Sequence, residues 1–165
     1  MYVLAQIMGV LAIILWVFSI LLKNKKDILL SQVVANAIYG IEYSLLGAFS
    51  AASMNFLSFI RLLVYYLFAK KEKEMPEFIL IIFSFLILIL GFLTLDGVLS
   101  IIPVIITLLY AYSFWQKDLK IARIIYILAA ILWIYYNFKI GAFIGIIGNV
   151  LEIIAGVISL KKYCK

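Results

Sequence analysis

"GAFSAASMN" at residues 47–55 and "GAFIGIIGN" at residues 141–149 each read Gly-Ala-Phe, five further residues, then Asn. They begin ninety-four residues apart, and each lies in a stretch that otherwise reads as hydrocarbon. Asn is costly inside a membrane, so placing it twice at one distance from the same tripeptide points to an internal repeat. Sliding the chain by that offset without a gap lays Ser19 on Ser113, Lys23 on Lys117, Lys26 on Lys120, Gly47 on Gly141 and Asn55 on Asn149. Aromatic positions coincide as well: Trp16 with Tyr110, Phe18 with Tyr112, Tyr39 with Trp133, and Phe49 with Phe143.

The composition explains the setting of this repeat. Of 165 residues, 68% are hydrophobic, whereas soluble domains run nearer half. A chain this apolar needs lipid as its solvent, so the expected class is all-α and polytopic. Charged or Gly/Pro punctuation delimits seven apolar segments, at about 3–22, 28–47, 50–69, 78–95, 98–116, 121–138 and 140–160. Each approaches the roughly 20 residues that cross a bilayer. Residues 1–22 carry no basic leader and no small-residue cleavage site, and "LLKNKKD" follows them, so they are expected to stay as a helix.

Lys and Arg set the expected orientation. Twelve fall on one side, in clusters at 23–26, 70–73, 117–123 and 161–165, against Lys139 alone on the other. The positive-inside rule then puts the N-terminus outside and the C-terminus in the cytoplasm. The offset superposes helices 1–3 on helices 5–7. A three-span unit would be inverted if it followed directly, and the fourth span restores its direction. The expected organisation is therefore 3+1+3: a first unit at 1–72, a linker helix at 73–96 and a second, parallel unit at 97–165, related by a pseudo-two-fold axis along the membrane normal.

Polar residues inside the spans mark the candidate site. Gln32, Asn36, Tyr39 and Tyr43 share one helix face, as do Tyr126, Ala130, Trp133 and Asn137 at the offset positions. Asn55, Ser58 and Arg61 follow at steps of three, and Asn149 and Glu152 do the same. Such residues should face the bundle interior or a watery cavity, although interhelical hydrogen bonds and interfacial anchoring also account for many of them. Asn55 and Asn149 fall beside the axis where the units meet, the place where transporters built from repeats bind substrate. An Asn pair offers donors and acceptors to a neutral polyhydroxyl or amide, and an aromatic one helix away can stack on a ring. Arg61 and Glu152 break the symmetry near mid-membrane, where pairing with each other is the economical expectation. They would then gate the site or couple it to protons, unless the pair is a static salt bridge.

The 3+1+3 order and the third-helix Asn of each unit resemble the SWEET/MtN3 (PQ-loop) transporter superfamily. In those transporters an aromatic on the second helix and an Asn on the third form the substrate pocket. Tyr39 with Asn55 and Trp133 with Asn149, each sixteen residues apart, match that pattern. The resemblance implies that these four bind substrate. Locally, "VLAQIMGVLA" at 3–12, "NFLSFIRLLVYY" at 55–66, "IIPVIITLLYAYSFW" at 101–115 and "LWIYYNFKIGAF" at 132–143 resemble the YgjV-type bacterial inner-membrane protein family. Only Pro103 lies inside a span, beside Pro76 in a loop, and no Pro-Gln pair occurs, so the proline hinges of SWEET transporters have no counterpart.

The functional expectation is an inner-membrane transporter or facilitator of a small polar metabolite, sugar-like or vitamin-like, working by alternating access. A non-transporting receptor or scaffold with structural polar packing is the alternative. The chain has no His, and its single cysteine is Cys164. With no carboxylate pair at matched depth either, neither a catalytic constellation nor a metal site can be assembled. No cofactor is implied. The expected partners are the lipid bilayer and a small-molecule substrate, with a homo-oligomer left open. The net charge of +6 sits in inter-helix loops, which argues against nucleic acid.

Overall fold

A computed structural model describes residues 2–163. Cys164, and the Lys165 counted toward the positive side, lie outside the described residues. The described chain forms seven α-helices: α1 (Tyr2–Leu21), α2 (Lys25–Leu45), α3 (Phe49–Lys70), α4 (Glu77–Leu93), α5 (Ile101–Trp115), α6 (Leu119–Ile140) and α7 (Phe143–Tyr163). A single 3-10 turn, Val98–Ser100, leads into α5.

The helix ends follow from local chemistry. Asn24 accepts a hydrogen bond from the Lys26 backbone N–H at 3.1 Å. Ninety-four residues on, Asp118 accepts one from Lys120 at 2.7 Å. These side-chain caps satisfy N–H groups that a helix start leaves orphaned, so α2 and α6 begin two or three residues before the apolar runs. At the other end, Gly47 and Gly141 both take φ 74, the left-handed region. Beyond them, Ala48 N–H returns to Tyr43 O and Ala142 N–H to Asn137 O, each at 2.9 Å. This six-to-one closure is the Schellman arrangement, and it requires a residue without a Cβ penalty at the reversal. The Gly-Ala of each tripeptide is thus the stop of one helix, and the Phe opens the next.

Six helices are long and apolar enough to cross a membrane. The seventh, α4, has 17 residues, about 25 Å at the usual rise, at the short end of the spanning range. It is shorter than its apolar run because "TLDG" ends it: the Thr94 hydroxyl bonds back to Leu90 O at 2.8 Å, and Gly97 turns at φ 75. Packing runs as a closed ring in which α1 meets α2, α2 meets α3, α3 meets α5, α5 meets α6, α6 meets α7, and α7 returns to α1. Helix α4 lies outside this ring, against α3 and α5. Outward faces carry exposed Ile, Leu, Val and Phe, as lipid contact requires, while aromatic and polar side chains gather inside.

A Cβ at position 47 or 141 would meet nothing within 4 Å, so the cost of adding one there is conformational alone. Gly141→Ala and Gly47→Ala should each lower stability by roughly 1–2 kcal/mol, read as a drop in the thermal unfolding midpoint in detergent. No shift in either variant would mean that the left-handed turns are not what stops α2 and α6.

Candidate functional site

Where the polar faces of α2, α3, α5, α6 and α7 converge they line a narrow cavity. Its wall includes five aromatic rings, those of Trp16, Tyr39, Tyr43, Tyr110 and Trp133. Asn36, Asn55, Ser58, Thr107, Asn137, Gly145, Asn149 and Glu152 complete it. The space open to the centre of a water molecule is about 30 Å³, and since one water needs roughly 10–15 Å³ on this measure, one or two waters fit. All four residues matched to the transporter pocket, Tyr39, Asn55, Trp133 and Asn149, lie on this wall.

One hydrogen-bond chain crosses the wall. The Tyr43 hydroxyl donates to Asn137 Oδ1 at 3.0 Å, and Asn137 Nδ2 donates to Asn149 Oδ1 at 3.0 Å. Asn149 Nδ2 then donates to Glu152 Oε2 at 3.3 Å, while the Tyr110 hydroxyl donates to Glu152 Oε1 at 2.9 Å. Four helices are joined by these four bonds. Asn137 can reach Asn149 because Gly145 on α7 leaves the space, since a Cβ there would meet Asn137 Nδ2 at 2.6 Å. Asn55 behaves differently from Asn149: its amide donates to Ala51 O within its own helix at 2.8 Å. Asn36 does the same to Gln32 O at 2.8 Å. Neither amide is spent on another helix. Tyr43 stacks on Trp133, ring centroids 5.5 Å apart at 13°, and Trp16 meets Tyr110 at 5.0 Å, edge to face.

The expected Arg61–Glu152 pair does not form. Arg61, fully buried, donates through one terminal nitrogen to Thr107 O at 2.9 Å and through the other to Ser58 Oγ at 3.3 Å. The reason is the packing order. Helix α3 lies against α5, whereas α7 lies against α1 and α6, so the guanidinium reaches a carbonyl of α5 and Glu152 finds Tyr110 and Asn149. Arg61 therefore stands behind the wall, bonded to two residues that line it, while Glu152 is part of it.

Two further charges are buried without standing out as interior groups in the sequence. Arg123, which the sequence groups with the loop cations, lies inside α6 and is 1% exposed. It donates to Ser159 Oγ at 2.8 Å and Leu22 O at 3.0 Å, and its guanidinium lies over the Tyr126 ring at 5.3 Å. Its position a full turn past the Asp118 cap is the available signal. Glu42, whose place near the outer end of the second helix suggests contact with interfacial water, is instead equally buried, pressed against Gly9 of α1 in the space a Cβ would need. Trp16, Tyr110 and Thr107 also join the wall beyond the residues that sequence reasoning nominates, although the first two coincide at the ninety-four-residue offset.

Residues linked in the chain should couple, and the unpaired charges should not. Asn137→Ala and Asn149→Ala should be non-additive by roughly 0.6–1.7 kcal/mol, the span seen for hydrogen bonds between membrane helices. Arg61→Ala and Glu152→Ala should add to within about 0.5 kcal/mol. Unfolding midpoints of the single and double variants measure both.

The chain belongs to the Imp-YgjV family of bacterial inner membrane proteins, whose family model matches residues 3–165. It is thus a multi-pass protein of the bacterial inner membrane. No curated protein and no solved structure matches it.

Proposed function

We propose that this member of the family is a small transporter or facilitator that moves a small polar metabolite by alternating access between two parallel three-helix units. The units are residues 1–72 and 97–165, with the helix of 73–96 as the linker spanning between them, the N-terminus outside and the C-terminus cytoplasmic. Asn55, Asn149, Tyr39 and Trp133 bind the substrate in the cavity, Glu152 couples, and Arg61 acts from behind the wall on the α3–α5 contact. The activity is carriage, with no chemical conversion.

One observation carries this reading. Ten of the thirteen residues on the cavity wall fall into five pairs at the ninety-four-residue offset: Trp16 and Tyr110, Tyr39 and Trp133, Tyr43 and Asn137, Asn55 and Asn149, and Ser58 and Glu152. Two of these pairs touch each other directly. Equivalent side chains from two units can meet only close to the axis relating them, so such contacts support a two-fold running through the cavity. The ring order supports it too: α1 against α7 and α5 against α3 become the same contact when the units are exchanged. A polar cavity on the axis between repeats is where such transporters hold substrate.

The tightness of the cavity favours a second reading, a receptor or scaffold in which the polar chain is packing alone. With room for one or two waters, a substrate enters only if the units part. Transport therefore requires movement across the α1–α7 and α3–α5 contacts, while a scaffold requires none.

Asn55→Ala and Asn149→Ala separate the two. In a screen of metabolites by thermal shift on the purified protein, a ligand that stabilises the native chain should lose most of its effect in both variants, and its uptake into proteoliposomes should fall with it. A screen with no ligand and no flux, or a ligand whose effect survives both substitutions, would sink the transporter reading.

A further inference from the structure

The charge on the cavity wall is one-sided. Among the described residues, Glu152, 1% exposed and near the middle of α7, is the one acidic residue on the wall, and neither Lys nor Arg lies on it. Its two oxygens receive hydrogen bonds from Tyr110 and Asn149, both neutral donors. Two neutral hydrogen bonds do not cancel a unit charge at mid-membrane. The two buried guanidinium groups are committed elsewhere, Arg61 to Thr107 and Ser58 and Arg123 to Ser159 and Leu22. Five aromatic rings share the wall with the carboxyl group, and the face of an aromatic ring attracts cations and gives nothing to anions. A carboxylate that shares its wall with these rings, and with no cation among the described residues of that wall, suits a positive guest.

We propose that the cavity takes a small organic cation, a primary or quaternary ammonium that also carries a hydroxyl or amide group, and exchanges it for a proton on Glu152. This rests on the transporter reading and names the substrate class of the same site. An ionised Glu152 calls for a positive partner inside the cavity, since Arg61 is bonded to Thr107 and Ser58 behind the wall, and two occupants can supply it. When the cavity is empty the proton sits on the Glu152 carboxyl group. When the cation enters, that proton leaves to water and the carboxylate pairs with the ammonium among the rings, while the free amide N–H and Oδ1 of Asn55 serve its polar substituent. One cation in and one proton out leaves the site electrically unchanged, so the two compete and transport takes the form of antiport.

The ionisable groups that approach Glu152 are tyrosines, with the Arg123 guanidinium over the Tyr126 ring behind one of them. Tyr110 reaches it from α5, Tyr39 approaches from α2, Tyr126 from α6, and Trp16 from α1. A tyrosine hydroxyl in a low-dielectric site stays protonated across the physiological range. Glu42, a second carboxyl buried among the described residues, is not on the wall, although Tyr39, which is, lies near both carboxyl groups.

The probes are choline and ethanolammonium as cations, with glycerol and 1-propanol as neutral controls, against the purified full chain in detergent at constant ionic strength. The cations should raise the unfolding midpoint and quench tryptophan fluorescence, and the neutral compounds should do neither. Apparent cation affinity should fall about tenfold for each pH unit of acidification over the range where Glu152 binds its proton. Glu152→Gln imitates the protonated side chain, so it should fold and yet lose the cation response. The pH competition in the native chain tests the same exchange without that variant. Cation binding that ignores pH, or that survives Glu152→Gln, overturns the inference. Binding of neutral compounds alone, dependent on Asn55 and Asn149, overturns it and leaves the transporter reading standing. No binding by these probes and none in the metabolite screen overturns both.

Discussion

The hydrogen bond from Tyr43 to Asn137 is the contact on which the interior depends. It ties α2 to α6 across the ring, and it occupies the one oxygen of the Asn137 side chain. The amide of Asn137 is then directed to Asn149, and that of Asn149 to Glu152. Each link determines what its neighbour has left to offer. With room beside it for only one or two waters, the chain has few replacements for a missing partner, and a broken link leaves a polar group at each side of the break competing for them. The same bond explains why the second and sixth helices, not contiguous in the ring, still share one cavity.

Much of this is legible in the sequence, for reasons that differ from residue to residue. The helix stops can be read because few residues tolerate a left-handed turn, so Gly47 and Gly141 announce themselves. The second and third helices of each unit can be aligned because Gly-Ala-Phe and Asn keep one register. The convergence of Tyr39, Asn55, Trp133 and Asn149 is legible because all four are expensive or bulky choices on faces that period 3.6 assigns to the interior. The partner of Arg61 is not legible. Sequence gives its depth and its helix face, but whether α3 meets α5 or α7 is decided by the packing of the whole ring. Arg123 misleads for a related reason: a cation soon after a loop looks solvated until the cap shows that the helix has already begun.

The two halves are alike where the backbone sets the terms and unlike where side chains face the cavity. Under the proposed two-fold, the helix stops are the same residue, glycine at the same φ, and the helix starts are the near-equivalent Asn24 and Asp118. On the wall, only Asn55 and Asn149 are identical. Tyr39 faces Trp133, Trp16 faces Tyr110, Tyr43 faces Asn137, and Ser58 faces Glu152. Backbone reversal admits one solution and both units use it. A cavity astride a two-fold has no such restriction, and a guest with two different ends is better served by two different halves.

The placement of the two mid-membrane charges follows the same logic. Had Arg61 met Glu152, the pair would have neutralised itself, and the cavity would present hydroxyls, amides and rings with no net preference for the sign of its guest. Instead the guanidinium is spent one layer back, on a carbonyl of α5 and a hydroxyl of its own helix. There it ties α3 to α5. That leaves Glu152 as the one carboxyl group among the described residues of the wall, with no arginine bonded to it. On the proposed reading, the asymmetry at positions 61 and 152 divides two tasks between two residues, with cohesion of the units going to the cation and selection of the guest going to the acid.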